Sequence, residues 1–561
     1  MKKILILFLI AVNCYAQVSA PIYVDNLKMV QFTSSNLPIF VINTNGQTII
    51  DEQKITADLG VIYNGEGVRN NLTDPFNHYN GKIGIEIRGS STQMFPKKQY
   101  SVETRDSGGN DLDVSLLGFP AESDWIFNAP YTDKSMMRNF LAYSLARTMG
   151  KYATRCKYFE LVINNDYKGV YILFEKIKRD KNRVNIKKLE PTDISGDAVT
   201  GGYIIKIDKW TGEGNDGWVS NFLPYQNAWQ RISYQYHIPK PEDIVSQQKA
   251  YIQDYIFNFE SKMYSNNFNN PDSGYSKFVD VSSFVDMFLI NEMSKNVDGY
   301  RLSTFLYKDR NSVSSKLVMG PIWDYNLAFG NADYYEGAIL SGWMLDYLTT
   351  NPYFLNSDGA VAPFWWKKIM DDTYFKNQVK TRWEYIKSKG IKFEWFNKNI
   401  DSLVVYLNES QQRNFQRWPI LGMYVWPNAY IGQSYTDEIF YLKSWIRDRL
   451  TWIENNLPGE VVSVDENIIP NSFSLKQNYP NPFNPSTTIS FSLSSNCYIS
   501  LEIYNQLGEK IKTVYEGNEN IGLHSYIVDM SGFSSGIYFY RLNISNGANS
   551  IKETKKMLLL K

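Results

Sequence analysis

Asp298 and Asp324 fall within one stretch, NEMSKNVDGYRLSTFLYKDRNSVSSKLVMGPIWDYNLAFG (residues 291–330), and each closes a regular element. A carboxylate at such a position is aimed by rigid backbone and can hold a proton or a hard cation in a cleft. Before Asp298, the run SSFVDMFLINEMSKN spaces Phe284, Met287, Phe288 and Met293 for one apolar helix face. After it, STFLYKD and KLVMGPIWD read as two strands joined by a polar turn at 310–315. Either Asp alone is also a common turn former or strand-end cap. The two in this order, with Gly330 following, point to a site.

Other chemistries lack their residues. The three histidines, His78, His237 and His524, are dispersed, and Cys156 and Cys497 are far apart once a leader is removed. Neither a zinc hydrolase nor a Ser–His–Asp enzyme is expected, nor an internal disulfide. With 58 basic and 58 acidic residues, the chain has no electrostatic footprint for nucleic acid. The start, MKKILILFLIAVNCYAQ, reads as a secretory signal peptide cut after Ala16; Asn13 before Cys14 does not suit lipid attachment. No later run reaches ~18 apolar residues, so the mature chain is not expected to span a membrane.

At 561 residues, two or three domains are expected. Residues 17–80 are β-rich, with LPIFVINT running into Asn45–Gly46, and lead into a domain over 81–456. There, IGIEIRGSSTQMFPKKQYSVET reads as strand, Gly/Ser turn, strand, and residues 133–150 as a helix with Asp133 as N-cap. Strands follow at FELVINN, VYILFEKIK and GGYIIKID, then a mostly helical half from Pro241. Strands first and helices later give an α+β class with two lobes. Residues 457–470 form a linker, and 471–561 alternate as short strands with turns at Gly508, Gly517, Gly532 and Gly536, the spacing of a small β-sandwich.

The segments IRGSSTQMFPKKQYSVET, ESDWIFNAPYTDKSMMRNFLAYSLARTMG, NDYKGVYILFEKIKRDKNRVNI, TGGYIIKIDKW and NVDGYRLSTFLYKD…GPIWDYNLAFG together resemble the CotH (spore-coat protein H-like) kinase family over about residues 80–400. The resemblance implies a two-lobed atypical protein-kinase-like fold. It also implies a secreted enzyme that transfers phosphate from ATP to Ser or Thr of a protein substrate with Mg²⁺ or Mn²⁺. NYPNPFNPSTTISFSL, the YNQLGE turn, SGIYFYRL and KKMLLLK are similar to a type IX secretion sorting domain, for which an Ig-like β-sandwich is expected. That similarity implies export to the cell surface or beyond by the type IX machinery.

On this reading Asp298 orients the acceptor hydroxyl and Asp324 ligates the cation. The family often carries an Asn five residues after the first Asp; here Ser303 stands there, a weaker oxygen ligand, with Asn296 or Asn326 as substitutes. Strand alternation in KKQYSVET places Lys98 with Tyr100 and Val102, so Lys98 is expected in the cleft on the phosphates and Lys97 in water. The turn at Arg88, Gly89 and Ser90 is expected to offer backbone N–H groups to the nucleotide. The helix after Met136 offers no acid to pair with the lysine, which leaves Glu160 or Glu175, and Glu175 can instead mark the place where adenine docks. Arg138 and Asn139 are expected to brace a loop. A different class, a secreted glycan-binding or glycan-cleaving protein, is suggested by PFWWKKI and RWPILGMYVWPNAY; Ser303 supports a third, an inactive fold used in surface or coat assembly.

Overall fold

The computed structural model describes residues 30–210, 216–461, 474–493, 497–519, 522–545 and 550–560. The expected signal peptide, and the linker beyond residue 461, lie outside the described residues. The chain divides into two compact units, Met1–Gly459 and Glu460–Lys561.

Seven strands of the first unit close into a barrel: β1 (Ile39–Asn43), β2 (Ile55–Ile62), β3 (Tyr79–Arg88), β4 (Gln99–Arg105), β5 (Asp124–Asn128), β6 (Cys156–Ile163) and β7 (Asp166–Glu175). All neighbours are antiparallel except β1 and β6, whose parallel pairing completes the ring. Closure leaves no unpaired edge. Alternation assigns the two faces. On β7, Tyr171 and Leu173 fill the barrel beside Phe40, Phe127 and Phe159, while Val170, Ile172 and Phe174 turn outward to meet α1 (Arg138–Thr148). The helix starts five residues later than Asp133. That aspartate instead holds the preceding turn, accepting the Arg138 N–H at 2.8 Å and its guanidinium at 2.6 Å.

A second, five-stranded antiparallel sheet has the order β9–β10–β8–β11–β12, with β8 (Tyr203–Ile207), β9 (Gly217–Val219), β10 (Ser233–Ile238), β11 (Thr304–Lys308) and β12 (Leu317–Met319). Around it pack α2 (Ser246–Tyr264) and α3 (Val281–Ser294), followed in the chain by seven further helices from Met344 to Asn456. The Asp280 side chain caps α3 by accepting the Ser283 N–H, and Lys295 ends it in a left-handed conformation (φ 45°). Trp365 and Trp366 are fully buried, so the two tryptophans of PFWWKKI are core, and Phe364 packs half-buried against it.

Register positions the chemistry. Ile207 pairs with Thr304, and Leu306 with Met319. The C-terminal end of β8, the N-terminal end of β11 and the C-terminal end of β12 therefore lie at one end of the sheet. Asp208, the 298–303 loop and the chain that runs on from Met319 to Asp324 all leave from that end; the strand stops at Met319, so Asp324 lies five residues beyond it rather than closing it.

The second unit contains two antiparallel sheets that share one core, including Ile489, Phe491, Ile499, Leu501, Tyr540 and Leu542. Along Cys497–Tyr504 the odd-numbered residues are buried while Tyr498 is exposed, the half-buried alternation expected from the sequence.

Candidate active site

Asp298 follows the end of α3 through a short turn in which the Asn296 side chain accepts the Asp298 N–H at 3.2 Å. Its Oδ1 accepts a hydrogen bond from Arg301 Nη2 at 2.9 Å. Arg301 is 3% exposed and fans out further, donating Nη1 to Asp358 Oδ2 at 3.1 Å and to the Ala360 carbonyl at 2.9 Å, and Nε to the Val297 carbonyl at 3.0 Å. It also lies over the rings of Tyr335 and Phe354. So fixed, the Asp298 carboxylate forms part of the wall of a cleft of about 900 Å³, with Asp208, Lys209, Asp358, Tyr334 and Trp426 around it. Loss of solvent pushes its pKa up, Arg301 opposes the rise, and the negative charge of Asp358 adds to it.

Asp324 sits at φ 64°, a left-handed conformation that Asp tolerates better than most residues. Helix α1 pins this turn. The Asp324 N–H donates to Tyr143 Oη at 3.1 Å, the Tyr325 N–H to Asn139 Oδ1 at 2.7 Å, and Arg138 Nε to the Ala328 carbonyl at 3.0 Å. Arg138 and Asn139 thus brace the loop, as read from the sequence. From α3, Asn291 Oδ1 accepts the Tyr325 hydroxyl at 2.6 Å. Asp324 is exposed to solvent and lines a small polar pocket rather than the wall that Asp298 shares. Burial, then the charge of Asp298, raises its pKa to about 6, and the Arg88 guanidinium at the end of β3 works against them. The two aspartates are thus close enough for the charge of one to act on the other.

The profile of the CotH kinase protein family matches residues 85–453. The chain belongs to that family. The profile of the secretion system C-terminal sorting domain matches residues 477–559. This places the protein among type IX secretion cargo, bound for the cell surface or the exterior. No curated protein matches the chain significantly. Among the described residues, no helix is long and apolar enough to cross a membrane.

Within this CotH domain the two lysines exchange the places that alternation assigned them. β4 begins at Gln99, so Lys97 and Lys98 precede the strand and its period does not govern them. Lys97 is 2% exposed and donates to the Val170 carbonyl at 2.6 Å and Asn414 Oδ1 at 2.8 Å; burial drives its pKa well down. Lys98 is only partly buried and donates to the Gln93 carbonyl at 2.5 Å, closing the turn before the strand. Glu175 is fully buried. Its carboxylate is held by Arg155 at 2.9 Å and Arg183 at 3.1 Å, so it is neither a lysine partner nor a group facing the cleft. Glu160 is equally buried, bound by Ser35, Tyr167 and Arg413, and its charge reaches Lys97.

Gly89 and Ser90 are exposed on the turn after Arg88. Gly89 has φ 108°, and a Cβ there would collide with the Thr92 hydroxyl, so this turn needs glycine. Ser303 (φ 47°) is half-buried just before Thr304, hence beside the β8 end that carries Asp208. Asn326 lines a small polar pocket with Asp324, Gln99, Asn128 and Asn139, whereas Asn296 is buried in the turn. The sequence reading missed Asp208, Lys209, Arg301 and Asp358. Asp208 carried the same strand-end signal as Asp324, in GGYIIKID; Arg301 and Asp358 are 57 residues apart and carried none.

Among the described residues, no three His, Cys, Asp or Glu side chains group closely enough to hold a metal ion alone. Magnesium at phosphoryl-transfer sites takes one or two carboxylates and completes its octahedron with water and phosphate oxygens. The Asp324 carboxylate, with the Asn326 side chain in the same small pocket and Asp298 within electrostatic reach, fits that donor set.

Proposed function

We propose that the protein is a secreted phosphotransferase that moves the γ-phosphoryl group of ATP to a Ser or Thr hydroxyl of a protein, with Mg²⁺ or Mn²⁺. The supporting observation is that Asp298, which lines the cleft, and Asp324, which lines a small polar pocket with Asn326, lie near enough for the charge of one to act on the other; we read the barrel with α1 and the helical half as two kinase-like lobes. Asp298, held by Arg301, orients the acceptor hydroxyl and takes its proton as oxygen bonds to the γ-phosphorus; the bond to the β–γ bridging oxygen breaks and ADP leaves with the electron pair. Asp324, with Asn326 nearby, would hold the divalent cation, whose contribution when bound is positive charge on the nucleotide phosphates. Arg88 and the N–H groups of Gly89 and Ser90 would face those phosphates. Lys98 and Ser303 stay in outer roles, the first closing the turn and the second flanking Asp208. We read the C-terminal unit as an Ig-like sandwich used for sorting.

One observation favours a glycan reading. Trp426 stacks on Tyr334 at 6.1 Å and both line the cleft beside Asp298. The deciding experiment incubates purified mature protein with γ-labelled ATP, divalent cation and a Ser/Thr-rich acceptor protein. Label should appear with the parent chain and fall by about 100-fold or more in Asp298→Ala and Asp324→Ala, both still folded. Equal labelling by both variants would remove the assignment.

A further inference from the structure

We infer that Lys209 supplies the ammonium group that receives the terminal phosphate of the bound nucleoside triphosphate. This rests on the phosphotransferase reading and adds a residue from a segment outside the two aspartate loops. Lys209 leaves the end of β8 directly after Asp208, at the end of the sheet where the Asp298 loop also emerges. Its backbone is held in place. The buried Gln235 of β10 donates Nε2 to the carbonyls of Asp208 at 3.1 Å and Lys209 at 3.0 Å, and Asp208 Oδ1 accepts the Lys209 N–H at 3.0 Å.

The side chain is exposed and lines the cleft with Asp298, and its positive charge acts on both Asp298 and Asp324. Among the described residues its ammonium has no hydrogen-bond or ion-pair partner. Of the other two cations that line this cleft, Arg301 is committed to Asp298 and Asp358 and Arg231 to the Ala228 and Gln230 carbonyls; Arg88, on the side of Asp324, lies outside that lining. A flexible point charge within range of both carboxylates suits a transferring phosphate, whose negative charge must be balanced between the acceptor and the cation.

The test compares ADP with a non-hydrolysable ATP analogue, both with Mg²⁺, by thermal shift and calorimetry on the full mature chain. The parent chain should bind the triphosphate more tightly than the diphosphate. Lys209→Ala should lose that increment, about tenfold in affinity for one charge-assisted contact, with ADP binding and the unliganded melting temperature unchanged. Lys209→Arg should keep most of it. A Lys209→Ala protein that retains the full triphosphate increment overturns the inference and leaves the phosphotransferase reading standing. A parent chain that responds to neither nucleotide overturns both.

Discussion

Asp324 occupies backbone space that side chains usually avoid and carries a charge beside another carboxylate, so its ionised form costs the fold stability. Its pKa stands at about 6 against 3.8 for the free residue, so the native state holds this proton more tightly than the unfolded chain. The associated stability is complete below the unfolded value and is lost as pH rises through about 6. Asp324→Asn, which tolerates the same positive φ, should therefore melt above the parent at pH 8, with the gap closing by pH 4. Saturating Mg²⁺ with nucleotide should raise the parent and not the variant. Melting curves across that range decide it, and a variant less stable at pH 8 counts against the arrangement.

At the scale of elements, α1 gives its polar residues to the Asp324 turn. Asn139 is 5% exposed and is the acceptor for the Tyr325 N–H; truncation leaves that donor buried and unpaired. Asn139→Ala should lower stability by about 1–3 kcal/mol in urea unfolding and weaken phosphate transfer together with it. Full transfer activity would show that the turn holds without its brace. This bracing was readable in advance because the helix lacks any acid to pair with a catalytic lysine. The lysine itself was misplaced, since alternation was extended two residues beyond the start of β4. Lys97 went inward because a carbonyl on β7 and Asn414 on a distant helix were there to receive it, partners hundreds of residues away in one case. Glu175 failed for a similar reason: two arginines from separate loops close over it.

Across the whole molecule, the family match ends at 453 and the sorting match begins at 477, and each unit has a core of its own. Deleting residues 477–559 should leave the protein inside the cell envelope, measured as its loss from the surface and medium fractions; continued export would show that the sorting information lies elsewhere. The sequence alone determined the α+β class, the division into a CotH-family region and a sorting tail, the helix before Asp298 and the strands flanking the 310–315 turn, because periodicity and turn chemistry are local. Only the tertiary structure decided that the strands close into a barrel, that Asp208 and Lys209 join the two aspartates at one sheet end, and that Arg301 ties Asp298 to Asp358. Those outcomes depend on strand register and on ion pairs between distant segments, and neither leaves a mark within a window of neighbouring residues.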